Sequence, residues 1–117
     1  MDVDADVVNS KEAKVVVWKF TLAVQDGLQL VCIPQGALIR WVAMQGRTLC
    51  LWVECDPDRK APHEDRFFVV HGTGQPFVPG DQYKGDGSHT VTEAYVGTVL
   101  DGSFVWHVYE TIIRAES

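Results

Sequence analysis

The chain of 117 residues is short of several things, and each shortage excludes something. It has three cysteines, Cys32, Cys50 and Cys55, an odd number with no Cys-x-x-Cys spacing. That excludes a disulfide framework and a zinc ribbon. No apolar run approaches the roughly 20 residues that cross a bilayer as a helix, so no membrane association is expected. The first residues, Met1-Asp2-Val3-Asp4-Ala5-Asp6, are acidic. They lack the basic start of a secretory signal, so the expected location is the cytoplasm. Positive charge is scarce: 10 Lys and Arg face 16 Asp and Glu, a net charge of -6. A phosphate backbone is repelled on average, so direct nucleic-acid binding is not expected. No window carries a helical repeat. The nearest, Ser10-Lys11-Glu12-Ala13, is too short to stand alone.

What is present reads as strands. Hydrophobic residues make up 46% of the chain, too many for a disordered polymer, and the length suits one domain. Residues 1–13 carry Asp2, Asp4, Asp6 and Glu12 against Lys11 and read as a solvated, flexible tail, or as an arm for a basic partner. From residue 14 to 117 the chain reads as a single β domain. β-Branched and aromatic stretches at 15–22, 28–33, 37–44, 48–54, 66–71, 94–99 and 103–110 predict seven strands. Gln45-Gly46-Arg47 and Asp101-Gly102 read as tight hairpin turns. Residues 55–64 form a polar loop with two prolines, and 72–90 form a longer irregular one with five glycines. The expected fold is all-β, an antiparallel sandwich or small barrel of about seven strands. All four tryptophans and four of the five phenylalanines lie in these strands, which commits much of the aromatic area to the core. Cys32 and Cys50 are expected to pack as small hydrophobes. Asp56 and Asp58 beside Cys55 argue against a reactive thiolate there.

Side-chain alternation puts Phe67, Val69 and His71 on one face of the fifth strand, opposite Arg66, Phe68 and Val70. It likewise separates Val105, His107 and Tyr109 from Phe104, Trp106 and Val108. If the two strands are neighbours, His71 and His107 approach each other. Two histidines fall short of a tetrahedral metal site, so no metal and no cofactor is expected. His71-Gly72-Thr73-Gly74-Gln75-Pro76 is the most distinctive string. Its paired glycines suit a sharp turn whose N–H groups can cradle an anion, but it is neither a Rossmann fingerprint nor a P-loop. Asp81, Asp86 and His89 share the long loop and read as solvated polarity. No serine sits in a nucleophile elbow, and Asp56-Pro57-Asp58 lacks the Gly and closing Glu of a calcium loop. An enzyme is not expected.

Three strings together resemble a family of small uncharacterised proteins encoded by bacteriophages and prophages. They are Arg66-Phe67 to Gly72-Thr73-Gly74-Gln75-Pro76, Tyr95-Val96-Gly97-Thr98-Val99, and Phe104-Val105-Trp106-His107-Val108-Tyr109-Glu110. The likeness covers most of residues 16–110. Gly-Thr-Gly-His-Pro is usual in that family where this chain has Gln75, a departure that removes a histidine. The resemblance implies a phage origin and a role in the cytoplasm of an infected host, with no activity to carry over.

The expected function is binding that antagonises bacterial immunity. In one form, the acidic surface imitates nucleic acid and occupies a basic groove of a host defence protein, as an anti-CRISPR-type inhibitor. In another, the Gly-Thr-Gly loop and nearby rings sequester a small nucleotide signal. A minor virion or assembly protein is a third reading, and sheet edges admit a homodimer. The expected binding residues are Arg66, as a cation for phosphate or carboxylate, Thr73 and Gln75, as hydrogen-bonding loop residues, Tyr109, as a stacking ring, and His71 and His107.

Overall fold

A computed structural model describes residues 14–58, 60–81, 83, 85 and 87–115. The acidic segment 1–13 and Asp86 lie outside them. The described residues form seven strands: β1 (Val16–Leu22), β2 (Gln29–Pro34), β3 (Leu38–Gln45), β4 (Thr48–Cys55), β5 (His63–Gly72), β6 (His89–Asp101) and β7 (Phe104–Ala115). They build two sheets, β1-β4-β3 (sheet A) and β2-β5-β7-β6 (sheet B), with every neighbouring pair antiparallel. The sheets face each other as a sandwich, which decides between the two expected architectures. Among the described residues no helix is long and apolar enough to cross a membrane.

Both expected hairpins are present. Gln45 pairs with Thr48 and Asp101 with Phe104, so each loop has two residues and begins with a glycine. Gly46 and Gly102 have φ of 62° and 60°, the positive value that such loops need to follow the strand twist. Three strands outrun their sequence signals. β5 starts at His63, inside the expected polar loop. β6 starts at His89 and β7 runs on to Ala115. Ladder pairing with β7 holds the polar start of β6 in place, with His89 opposite Ala115 and Thr90 opposite Arg114.

The core lies between the sheets. Leu49, Leu51 and Val53 of β4 meet Phe68 and Val70 of β5, Val108 of β7 and Ile33 of β2, all buried. These are alternate residues, as a half-buried strand requires. β6 carries a bulge between Tyr95 and Gly97, and bulges bend a strand. The bend brings Gly97 so near β3 that a Cβ there would lie 2.5 Å from Val42 Cγ1. Nearby, Arg66 links β5 to β7 within sheet B and to the turn before β3. Its Nε and Nη2 donate to the two carboxylate oxygens of Glu110 at 2.6 and 2.9 Å, and Nη1 donates to the Ala37 carbonyl at 2.5 Å.

The core assignment of Cys32 is corrected, and two of the tryptophans lie outside the core. Cys32 is exposed, because β2 is an edge strand and Cys32, paired with Asp65, faces away from the core. Trp41 and Trp52 lie on the outer face of sheet A, in contact at a centroid separation of 5.4 Å. Trp41 is 63% exposed.

Candidate functional site

The outer face of sheet B gathers most of the residues expected to bind. His71 and His107 are direct cross-strand partners on β5 and β7, and Val69 pairs with Tyr109 in the next register. β6 continues both rows, with Thr98 beside His107 and Tyr95 beside Tyr109. Five ring and hydroxyl side chains thus stand on one patch, through alternation on β5 and β7 and through the register shift between Tyr95 and Gly97 on β6.

His107 sits at the centre of a polar chain. Its Nε2 lies 2.7 Å from Thr73 Oγ1 and its Nδ1 lies 3.0 Å from Thr98 Oγ1. Thr98 in turn bonds the Tyr95 hydroxyl. A hydroxyl can donate or accept, so the chain satisfies either neutral tautomer of His107.

His71 lies beside this network, under the connection between β5 and β6. The Phe77 ring stacks on it at 3.6 Å between centroids and 9° between planes. Tyr109 packs against both rings, with centroids 5.7 Å from His71 and 5.5 Å from Phe77. Glu93 reaches in from β6. Its Oε2 accepts from the Gly80 N–H at 2.8 Å, which pins the loop, while Oε1 lies 3.7 Å from His71 Nε2. Both side chains are buried, His71 to 6% and Glu93 to 2% exposure. Among the described residues neither His71 Nε2 nor Glu93 Oε1 has a hydrogen-bond partner. A buried His–Glu contact at this separation is an ion pair when the ring carries a proton, and an unsatisfied polar pair when it does not.

Gln75 points elsewhere. Its Oε1 accepts from the Gly72 N–H at 2.9 Å, and its Nε2 donates to Asp26 Oδ1 at 3.4 Å. It thereby joins the Gly-Thr-Gly turn to the β1–β2 connection. A cavity of about 410 Å³ opens there, with Asp26, Gln75, Phe77 and Asp81 around it and His71 and Val69 at its floor. Among the described residues no group of three or more His, Cys, Asp or Glu is placed to hold a metal ion.

The structure therefore brings His71, Thr73, His107 and Tyr109 together, sets Gln75 at the rim, and leaves Arg66 out. Arg66 is on the opposite face of β5, and every guanidinium nitrogen is engaged by Glu110 or Ala37. It meets a carboxylate, as its charge leads one to expect, but one inside the fold. Hydrogen bonding to Glu110 raises its pKa further, against the opposing effect of burial. Sequence reasoning missed Glu93, Phe77, Tyr95 and Thr98. Tyr95 and Thr98 look like opposite faces of a regular strand. The bulge at Val96 puts them on the same one.

Residues 13–117 match a family model described as Domain of unknown function (DUF7352). The chain belongs to this family. No curated protein and no solved structure matches it. The DUF7352 match takes in all seven strands and the β5–β6 connection, so both the His71–Glu93 contact and the His107 chain lie inside the family domain.

Proposed function

We propose that this DUF7352 protein works by contact, docking the outer side of sheet B on a basic surface of a partner. The observation that carries this is charge segregation. Among the described residues, sheet B and the loops leading into it hold nine carboxylates against Lys60, Arg66 and Arg114. Arg66 is already neutralised by Glu110. Asp26, Asp65 and Asp81 are exposed. Asp26 and Asp81 border the cavity beside Phe77, and Asp65 is on the outer face of β5 by its pairing with Cys32. Clustered exposed charge of one sign speeds encounter with an oppositely charged surface and makes binding fall with salt. In the phage setting that the sequence resemblance implies, the partner is a nucleic-acid-binding groove of a bacterial defence complex, and the protein is an anti-CRISPR-type inhibitor. Capture of a nucleotide signal is the less favoured reading. The carboxylates at the cavity repel phosphate, and Arg66 is committed elsewhere.

The test is a plaque assay on a CRISPR-immune bacterium expressing the protein, with binding to the purified effector complex measured in parallel at rising salt. Plaquing should recover by orders of magnitude. The triple variant Asp26→Asn, Asp65→Asn and Asp81→Asn, which keeps the acceptor oxygens, should lose both the rescue and the salt-sensitive binding. Unchanged immunity across the major effector types would remove the defence reading.

A further inference from the structure

Among the described residues nothing packs over the Trp41 side of sheet A, and the chemistry of that face differs from that of sheet B. Register fixes its rows. Lys19 of β1 pairs with Trp52 of β4, which pairs with Trp41 of β3, so a cation and two indoles stand side by side across the sheet. The neighbouring row is Val17, Glu54 and Leu38. The two indoles touch at a 36° tilt, and the Trp41 ring is mostly open to solvent. An exposed aromatic pair flanked by exposed Val17 and Leu38 is more apolar surface than a sheet normally leaves bare.

Charge on this face also departs from the molecular average. Residues 14–22 and 37–55 contain Lys14, Lys19, Arg40 and Arg47, with Glu54 as the sole acid. That acid is neutralised, since Arg40, the extra residue of the β3 bulge, donates from Nε to Glu54 Oε1 at 2.9 Å. Lys19 Nζ donates to the neutral Gln45 Oε1 and keeps its charge. Arg47 is exposed at the hairpin beyond the indoles. The excess of acid therefore lies in the rest of the chain, and these segments are net positive.

We infer that the outer face of sheet A binds single-stranded nucleic acid, stacking bases on Trp41 and Trp52 and holding phosphates with Lys19 and Arg47, since Arg40 is engaged by Glu54. An open indole accepts any base, and cations set around it follow the backbone; together they give sequence-tolerant, salt-dependent binding. The edges of the patch suit this occupant, because Val17 and Leu38 cover sugar and base edges without asking for hydrogen bonds. A duplex, with its bases already stacked inside, has nothing to offer the indoles. The acidic side of sheet B shares no residue with this face, so the two proposals fail independently.

The experiment is a titration of the full chain with oligo(dT) of about fifteen nucleotides at low salt, read by quenching of tryptophan fluorescence. Saturable quenching is expected. The log–log dependence of affinity on salt should have a slope of about -1.4 if two phosphates are held, at roughly 0.7 per phosphate on a single strand. Trp41→Ala, at a solvent-exposed position, should weaken binding about tenfold, within the range for loss of one stacked base. Trp41→Phe should restore most of it, and Lys19→Gln should flatten the salt slope. An abasic oligomer of equal charge should bind the parent no better than oligo(dT) binds Trp41→Ala. Absence of quenching, equal affinity for the abasic oligomer or for duplex, or an unaffected Trp41→Ala would each overturn the inference.

Discussion

Cys32 lies on the edge strand β2 and is exposed, whereas Cys50 and Cys55 are buried on β4. Thiol chemistry follows access and thiolate fraction. Burial pushes the Cys55 thiol above its ordinary 9.0, and the charge of Asp56 adds to the shift. Iodoacetamide at about pH 8 should thus modify a single cysteine of the folded protein, Cys32, with the other two reacting only in denaturant; peptide mass mapping reads the sites. The raised value also links stability to pH. The folded state favours the neutral thiol, so this contribution is fully present below the unfolded pKa and is lost as pH rises through the folded one. Thermal melts at about pH 8 and pH 10 should show a smaller alkaline loss of Tm in Cys55→Ala than in the parent protein. Equal losses would mean that Cys55 ionises as freely in the fold as out of it.

The β5–β6 connection is the element on which the candidate site depends. It has no ladder of its own between Gly72 and His89, and two contacts anchor its middle: Phe77 on His71 and Tyr109, and the Gly80 N–H on Glu93. Phe77 is 37% exposed, so Phe77→Ala should cost about 1–2 kcal/mol, less than the 3–5 typical of a fully buried phenylalanine. Local opening should rise with it. Hydrogen exchange should accelerate at Thr73 to Asp81 and at Glu93, while Leu49 to Val53 in sheet A keep their protection. Uniform acceleration would make Phe77 a global core residue. This element also shows where sequence reading stops. Period-two alternation was enough to place His71, His107 and Tyr109 on one face, because facing is a property of each strand alone. Which strands adjoin depends on topology, and the order β2-β5-β7-β6 is not written in any one segment. Glu93 lay before the expected start of its strand, and Phe77 lay in a glycine-rich stretch with no period. Both are functional candidates only through tertiary contact.

On the scale of the molecule, the composition average hides a division. A net charge of -6 averages over a positive sheet A, a strongly negative sheet B and the acidic residues 1–13, and the same chain carries two faces of opposite chemistry. The two sheets approach closely where Gly97 of β6 meets Val42 of β3, and nearby Arg66 of β5 donates to the Ala37 carbonyl just before β3, its other bonds going to Glu110 within sheet B. The sequence offered Arg66 as a cation for a phosphate or carboxylate ligand, because the carboxylate it meets is on another strand. Its partners, Glu110 and Ala37, are 44 and 29 positions away. The Arg66–Glu110 contact is largely sealed, with side-chain exposures of 17% for Arg66 and 12% for Glu110. Removing one partner of such a pair strands a desolvated charge, at about 3–5 kcal/mol when burial is complete. Arg66→Met should therefore lower stability by about 2–4 kcal/mol, the lower limit reflecting residual solvent access. Arg66→Lys should recover little, since an ammonium cannot reproduce the two-pronged contact. The double variant Arg66→Met, Glu110→Leu should regain much of the loss, because no charge is left stranded and the apolar pair can pack between Ala37 and the core. A denaturant-melt mutant cycle reads the coupling. Additive single losses would show that Arg66 and Glu110 stabilise the fold separately, and that the bidentate contact between β5 and β7 carries no coupling of its own.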